Sequence, residues 1–341
     1  MSVEAANSPA PRAVFSPGAD DSVRKRLLLS NLVRALCRIA VYSALIVLLV
    51  LLSVVVWLSI GWLDADFFRR GYSQLPERAG ILAGLWGSFW LISLTALISL
   101  PIGIGAAVYL EEYAGDNRLT RIIKTNLANL AGVPSIVYGM LGLAAFVKMF
   151  GLFGGLRSGL QLNLGFVVVP LPLGKTVLAG SLTMSLLILP IVIIASQESL
   201  RAVPRSIRVA SLALGATRWQ TIWRQVLPAS LPGIATGAIL AISRAIGETA
   251  PLLVAGAISF ARVYPGDIEN VSHLLDPSKV VRAPFSPYTT MPTAIYEYIK
   301  NPDEQFTHVA AAGIVVLMVV LTAFNAAAVV IRMRAQKKVK W

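Results

Sequence analysis

The sequence predicts an all-α, polytopic membrane protein with six transmembrane helices and a polar helical elbow on the cytoplasmic side. Three observations predict it. Of the 341 residues, 56% are hydrophobic and only 14% charged, and the mean hydropathy of +0.71 lies outside the range of soluble domains. Six apolar runs, 39–63, 84–110, 127–150, 177–197, 229–258 and 309–332, reach or approach the roughly 20 residues that cross a hydrocarbon core. Between the fourth and fifth runs stands an arginine-punctuated island, PRSIRVASLALGATRWQTIWRQVLP, at 204–228.

Taken in order, residues 1–36 are Pro-, Ala- and Ser-containing and then basic (Arg24, Lys25, Arg26, Arg34), which predicts a disordered cytoplasmic segment. The first apolar run is too long for a signal-peptide core and lacks a cleavage site, so 37–66 reads as an uncleaved anchor. Pro101 and Pro190 lie within spans and should kink them, or leave neighbouring helices to satisfy the freed carbonyls. Pro228 and Pro232 suit a helix start better than a helix middle. The segment 259–308 carries Pro265, Pro277, Pro284, Pro287, Pro292 and Pro302, with a short helix expected over Thr293–Lys300. A segment this long is either functional, lying over an outer mouth or against a delivery protein, or a tolerated surface excursion. Residues 333–341 form a basic tail.

The formal net charge of +13 does not indicate nucleic acid, because the basic residues flank apolar runs instead of gathering on a polar domain. Six spans place both termini on one side. The N-terminal cluster and the tail residues Arg332, Arg334, Lys337, Lys338 and Lys340 mark that side as cytoplasmic by the positive-inside rule. The island falls there too, with Arg201, Arg205, Arg208, Arg218 and Arg224 against Glu198. The opposite segment 64–83 balances Arg69, Arg70 and Arg78 with Asp64, Asp66 and Glu77. The expected location is a membrane crossed several times, with both termini in the cytoplasm.

Gly215 divides the island into two short amphipathic helices. Thr217 is the expected N-cap of the second, which sets Trp219, Ile222, Trp223 and Val226 on one face. Such an elbow either docks another protein or lies on lipid headgroups; its cytoplasmic placement favours the protein. Within the fifth run, Arg244 and Glu248 stand four residues apart in SRAIGETAP, on one helix face. Two readings fit. In one, Arg244 offers positive charge and forked donors to an oxyanion in a water-accessible pathway, Glu248 holds or gates it, and Thr249 and Pro251 add polarity and a bend. In the other, the pair locks helices or subunits together. Charges at membrane depth favour the pathway.

Other signals are weaker. Single Cys37 makes no intramolecular disulfide, His273 and His308 read as ordinary loop residues, and no metal-ligand spacing occurs. Gly174-Lys175-Thr176 resembles the end of a phosphate-binding loop, but Val169 stands where its first glycine belongs, so no nucleotide site is expected. Gly80/Gly84 and Gly233/Gly237 satisfy a GxxxG spacing that permits close helix contact. With neither a nucleophile–base arrangement nor paired carboxylates, the chain is expected to be no enzyme and to carry no cofactor.

Ala210-Ser211-Leu212-Ala213-Leu214-Gly215, followed at the right spacing by Leu227-Pro228, resembles the EAA loop of ABC importer permeases. Val209 stands in place of its acidic residue and Gln225 in place of its aliphatic one; the elbow itself is unaffected. With PIGIGAAVYLEEYA at 101–114, NLAGVPSIVYGMLGLA at 129–144 and SRAIGETAPLL, residues 80–332 resemble the PstA family of phosphate-specific ABC importer permeases. The resemblance implies a permease domain over 80–332 whose coupling loop uses Ala210, Ser211, Gly215, Ala216, Thr217, Trp219, Leu227 and Pro228. It implies a sister permease (PstC), two copies of an ATPase (PstB) that binds ATP and Mg, and an external phosphate-binding protein (PstS). A permease for sulfate or molybdate, and an ion-driven secondary transporter, are the alternatives.

Overall fold

Backbone amides in hydrocarbon have no water to bond, so apolar runs of this length fold as helices. The computed structural model describes residues 19–149, 160–163, 168–257, 264–268 and 271–338. Met1–Trp57 and Leu58–Trp341 form two separate units. In the first, helix α1 (Ala19–Ser59) starts well before the apolar run. The disorder expected over 1–36 therefore gives way to helix from Ala19 on, because RKRLLLSNLVRALCR is made mostly of good helix formers. Residues 1–18 lie outside the described residues.

The second unit is built on α2 (Leu82–Val108), α3 (Arg118–Ala131), α4 (Ser135–Gly142), α5 (Val177–Arg201), α6 (Arg205–Ala213), α7 (Arg218–Thr221), α8 (Leu227–Gly247), α9 (Ala250–Ala255), α10 (Pro277–Arg282), α11 (Met291–Lys300) and α12 (Gln305–Lys338). Both Pro101 and Pro190 lie inside helices that continue past them. Among the described residues, β1 (Leu160–Asn163) and β2 (Val168–Leu171) add a small antiparallel hairpin to the all-α architecture.

Among the described residues, five helices are long and apolar enough to span a membrane, and a sixth span exists if α3 and the α4 segment, bent by 104° at their junction, count as one. The packing of α2 on α5 decides this. Ser181 Oγ donates to the Leu91 carbonyl at 3.1 Å and Ser185 Oγ to the Thr95 carbonyl at 3.4 Å. Both partners advance by four, so α2 and α5 run parallel, and the bent pair must return the chain across the bundle between them. The 127–150 run is thus not one straight helix: Pro134 disfavours helical geometry at Val133 before it, and the chain turns there. Further along α5, Gly233 packs against Ser199 and Gly237 against Ala195, the opposite order, so α8 is antiparallel to it. A Cβ on Gly237 would come within 2.3 Å of the Ala195 side chain, which gives the GxxxG spacing its packing role.

The 27 residues of α2 separate the two ends of the bundle by about 40 Å. One end gathers the segments around 64–81 and 283–304. Tyr298 Oη donates to the Gly80 carbonyl at 2.7 Å and stacks on Tyr72 and Phe306, and Val177 N–H donates to the Ser286 carbonyl at 3.0 Å. Burial holds the Tyr298 phenol protonated well above its ordinary range. Tyr288, Met291, Thr293 and Tyr298 are buried, so this half of the 259–308 segment is core, not a surface excursion. α11 starts two residues before the expected helix. His308 lies in the first turn of α12, stacked on Trp62 and bonded through Nδ1 to the Leu58 carbonyl at 2.8 Å, so it is a packed helix residue instead of a loop one. Thr176, in the phosphate-loop-like triplet, caps α5 by accepting from Ala179 N–H.

Candidate functional site

The elbow sits at the other end of the bundle. α6 terminates in a Schellman motif: Gly215 N–H donates to the Leu212 carbonyl (3.0 Å) and Ala216 N–H to the Ser211 carbonyl (3.2 Å). Gly215 has φ +83°, a left-handed conformation that costs other residues energy. Thr217 then opens α7 through a reciprocal capping box with Gln220. Ser211 and Thr221 hydroxyls, 2.9 Å apart, hold the two arms of the elbow together.

The second arm does not end at Pro228 as a separate short helix would. It passes through a π turn at Ile222–Val226, closed by Leu227 N–H on the Ile222 carbonyl, directly into α8. Leu227 and Pro228 are therefore the seam between elbow and span, and the fifth span begins at Arg218. The aromatic face also divides. Ile222 and Val226 are buried, whereas Trp219 and Trp223 are 57% and 58% exposed and stacked at 5.6 Å. Each i,i+4 pair forms its own stripe; the aliphatic one packs into the bundle and the aromatic one leaves it. Val209, Leu212 and Leu214 are exposed too, so the elbow carries uncovered apolar side chains together with Arg205, Arg218 and Arg224.

Underneath lies a charge network that spacing in the sequence does not reveal. A π turn at Tyr109–Tyr113 ends the second span and carries Glu111 and Glu112. Arg208 of α6 donates to Glu112 at 2.6 Å through Nη2 and 3.1 Å through Nε, and to the Leu200 and Val203 carbonyls at 2.9 and 2.7 Å. Glu111 accepts from Arg201 at 2.7 Å and Lys124 at 3.4 Å. Arg218 lies 6.0 Å above the Tyr113 ring, within cation–π range. The sequence signal for it is YLEEYA itself, which falls on the arginine-rich side of the bundle and adds two acidic groups to Glu198 there.

Arg244 and Glu248 do meet, Nε to Oε1 at 3.2 Å. They do not lie in mid-helix. α8 ends at Gly247, and Glu248 is extended (φ −78°, ψ 125°) before α9 begins. Thr249 holds the N-cap position of α9 without a side-chain cap bond. Pro251 lacks an N–H, and α9 packs so closely on α4 that a Cβ on Gly139 would meet Pro251 Cα at 2.7 Å. The break is thus fixed by packing. Arg244 sits in the last turn of α8, where the helix dipole favours a cation. Its side chain is 44% exposed, that of Glu248 19%, and among the described residues no hydrogen bond engages its two terminal nitrogens. A separate cleft of about 750 Å³ between α5 and α8, lined by Glu198, Ser199, Gly233 and Thr236, does not include this pair.

The family model described as binding-protein-dependent transport system inner membrane component matches residues 99–335. The chain belongs to this family. Among relatives of this permease family, phosphate transport system permease protein PstA 1 of Mycobacterium tuberculosis is 31% identical over 352 residues, covering 99% of this chain and 97% of its own. The probable ABC transporter permease protein YqgI of Bacillus subtilis is 30% identical over 285 residues, 83% of this chain and 87% of its own. The fold is shared with a bacterial ABC transporter involved in import of the acidic polysaccharide alginate, at TM-score 0.55 and 14% identity over 94% of this chain and 99% of that one. The chain is a multi-pass membrane permease subunit of an ABC importer.

Proposed function

We propose that this permease subunit carries inorganic phosphate inward across a bacterial plasma membrane, driven by ATP hydrolysed on a separate subunit. The observation that carries the reading is the elbow: uncovered apolar side chains together with arginines, continuous with a span that carries an anion-competent arginine. The elbow docks in a groove of a PstB-type ATPase, two copies of which bind ATP and Mg. A PstC-type permease completes the pathway, a PstS-type protein delivers the anion from outside, and both termini lie in the cytoplasm. Arg244 draws the anion electrostatically and Glu248 holds the guanidinium between passages, so the site attracts phosphate without trapping it. Phosphate is favoured over sulfate and molybdate by the SRAIGETAP segment and by the relatives named for phosphate transport.

The test is uptake of labelled phosphate by proteoliposomes holding the complete complex and the loaded binding protein. ATP-dependent uptake that excess sulfate and molybdate leave unchanged supports the reading. Uptake without the ATPase, driven by an ion gradient, would contradict it, and so would transport of another oxyanion in place of phosphate.

A further inference from the structure

The elbow reaches the rest of the bundle by two routes of different kinds. Its second arm is covalently continuous with α8 through the π turn at Ile222–Val226. Its first arm, α6, joins α5 only through the non-helical Ala202–Pro204 joint, and Gly215 forms a second joint at its far end. A push on α6 would be absorbed by these joints unless something else fastens it. Ile207 packs against the core at this end and the Ser211–Thr221 hydroxyl pair ties α6 to the second arm; Arg208 is the charged fastening that reaches the second span. All three of its guanidinium nitrogens are committed: to Glu112 on the end of the second span, and to two carbonyls at and just past the end of α5. The pair is largely shielded, with side chains 20% and 10% exposed, so it acts as a stiff link and not as a solvated surface contact. The neighbouring Glu111, bonded to Arg201 and Lys124, ties the ends of α2 and α5 to the middle of α3. Val209, next to Arg208, is 65% exposed and takes no part.

We propose that the Glu112–Arg208 pair transmits movement of the elbow into α2 and α5, so that one displacement moves three spans together instead of α8 alone. Both residues are positioning residues, since neither touches the transported anion. The inference rests on the permease reading above and deepens it by naming the link between docking surface and pathway.

Two measurements on the complete complex test it. In proteoliposomes, Glu112→Gln keeps shape but removes charge and should lower phosphate uptake per ATP hydrolysed about tenfold, the loss expected from one charge-assisted bond. ATPase content should stay unchanged, and Arg208→Lys should give an intermediate value. Spin labels at Ser206 and Gly115 give a readout that does not depend on the cargo. Their separation should stay constant between ATP-free and ATP-bound states in the native protein and change in Glu112→Gln. Native uptake per ATP in Glu112→Gln, a loss explained wholly by missing ATPase, or a label separation that already changes in the native protein would each overturn the link. A native complex that moves no phosphate contradicts the proposed function, and the label distances still decide the link.

Discussion

Two of the bundle's arginine–glutamate pairs are alike in composition and differ in sequence separation, in satisfaction and in exposure. Glu112–Arg208 joins elements 96 residues apart, commits every nitrogen of the arginine, and is shielded from solvent. Arg244–Glu248 spans four residues across a helix end, uses one nitrogen, and leaves the arginine nearly half exposed. The first arrangement has the geometry of a fastener: its free energy resides in being complete, and removing a partner strands a shielded charge. On the function proposed above the second is a receptor, because an exposed arginine with unused donors gains from an arriving anion. Charge buried for structure and charge kept for ligands are distinguished by satisfaction, not by residue type.

The comparison can be broken by mutation. The largest effect on stability is expected from Arg208→Ala, which leaves Glu112 unpaired and should cost about 3 kcal/mol, read as a lowered melting temperature of the detergent-solubilised protein. Gly215→Val forces a β-branched residue to positive φ and should cost about 1–2 kcal/mol. Nothing lies within 4 Å of the added carbon, so Gly215→Asn should recover most of the loss, since Asn tolerates that conformation. Thr217→Ala removes the capping box, worth about 1 kcal/mol, and should weaken capture of the ATPase in a pull-down more than it lowers the melting temperature. Arg244→Gln should change stability least, by under about 1 kcal/mol, as expected for an exposed pair. An Arg244→Gln variant that melts as early as Arg208→Ala would erase the distinction.

Much of this was legible from residues alone, and what was legible was local. Apolar runs mark the spans because the bilayer leaves the backbone no other choice. Gly215 and Thr217 mark the elbow because a left-handed cap and an N-cap each depend on a few adjacent residues. Arg244 and Glu248 were legible as partners from their separation by four residues, whereas the helix end that falls between them was not. What escaped was long-range or cooperative. Glu111 and Glu112 meet partners about 90 residues away, and no periodicity encodes that. The division of Trp219 and Trp223 from Ile222 and Val226 depends on which neighbours cover the helix. The break after Gly247 needed Pro251 to be read as a helix start, although the apolar run continues through it. The bend near Pro134 was concealed in the same way, by an apolar run that gives no sign of direction. The departure at Val209 has no structural explanation: the side chain is exposed and lies outside the charge network.

The most direct test of the central contrast is phosphate uptake by the complete complex carrying Arg244→Gln, measured beside its melting temperature and ATPase content. Uptake should fall by about tenfold or more while the complex assembles and melts as the native one does. Native uptake rates in that variant would contradict the assignment of Arg244 to the anion pathway.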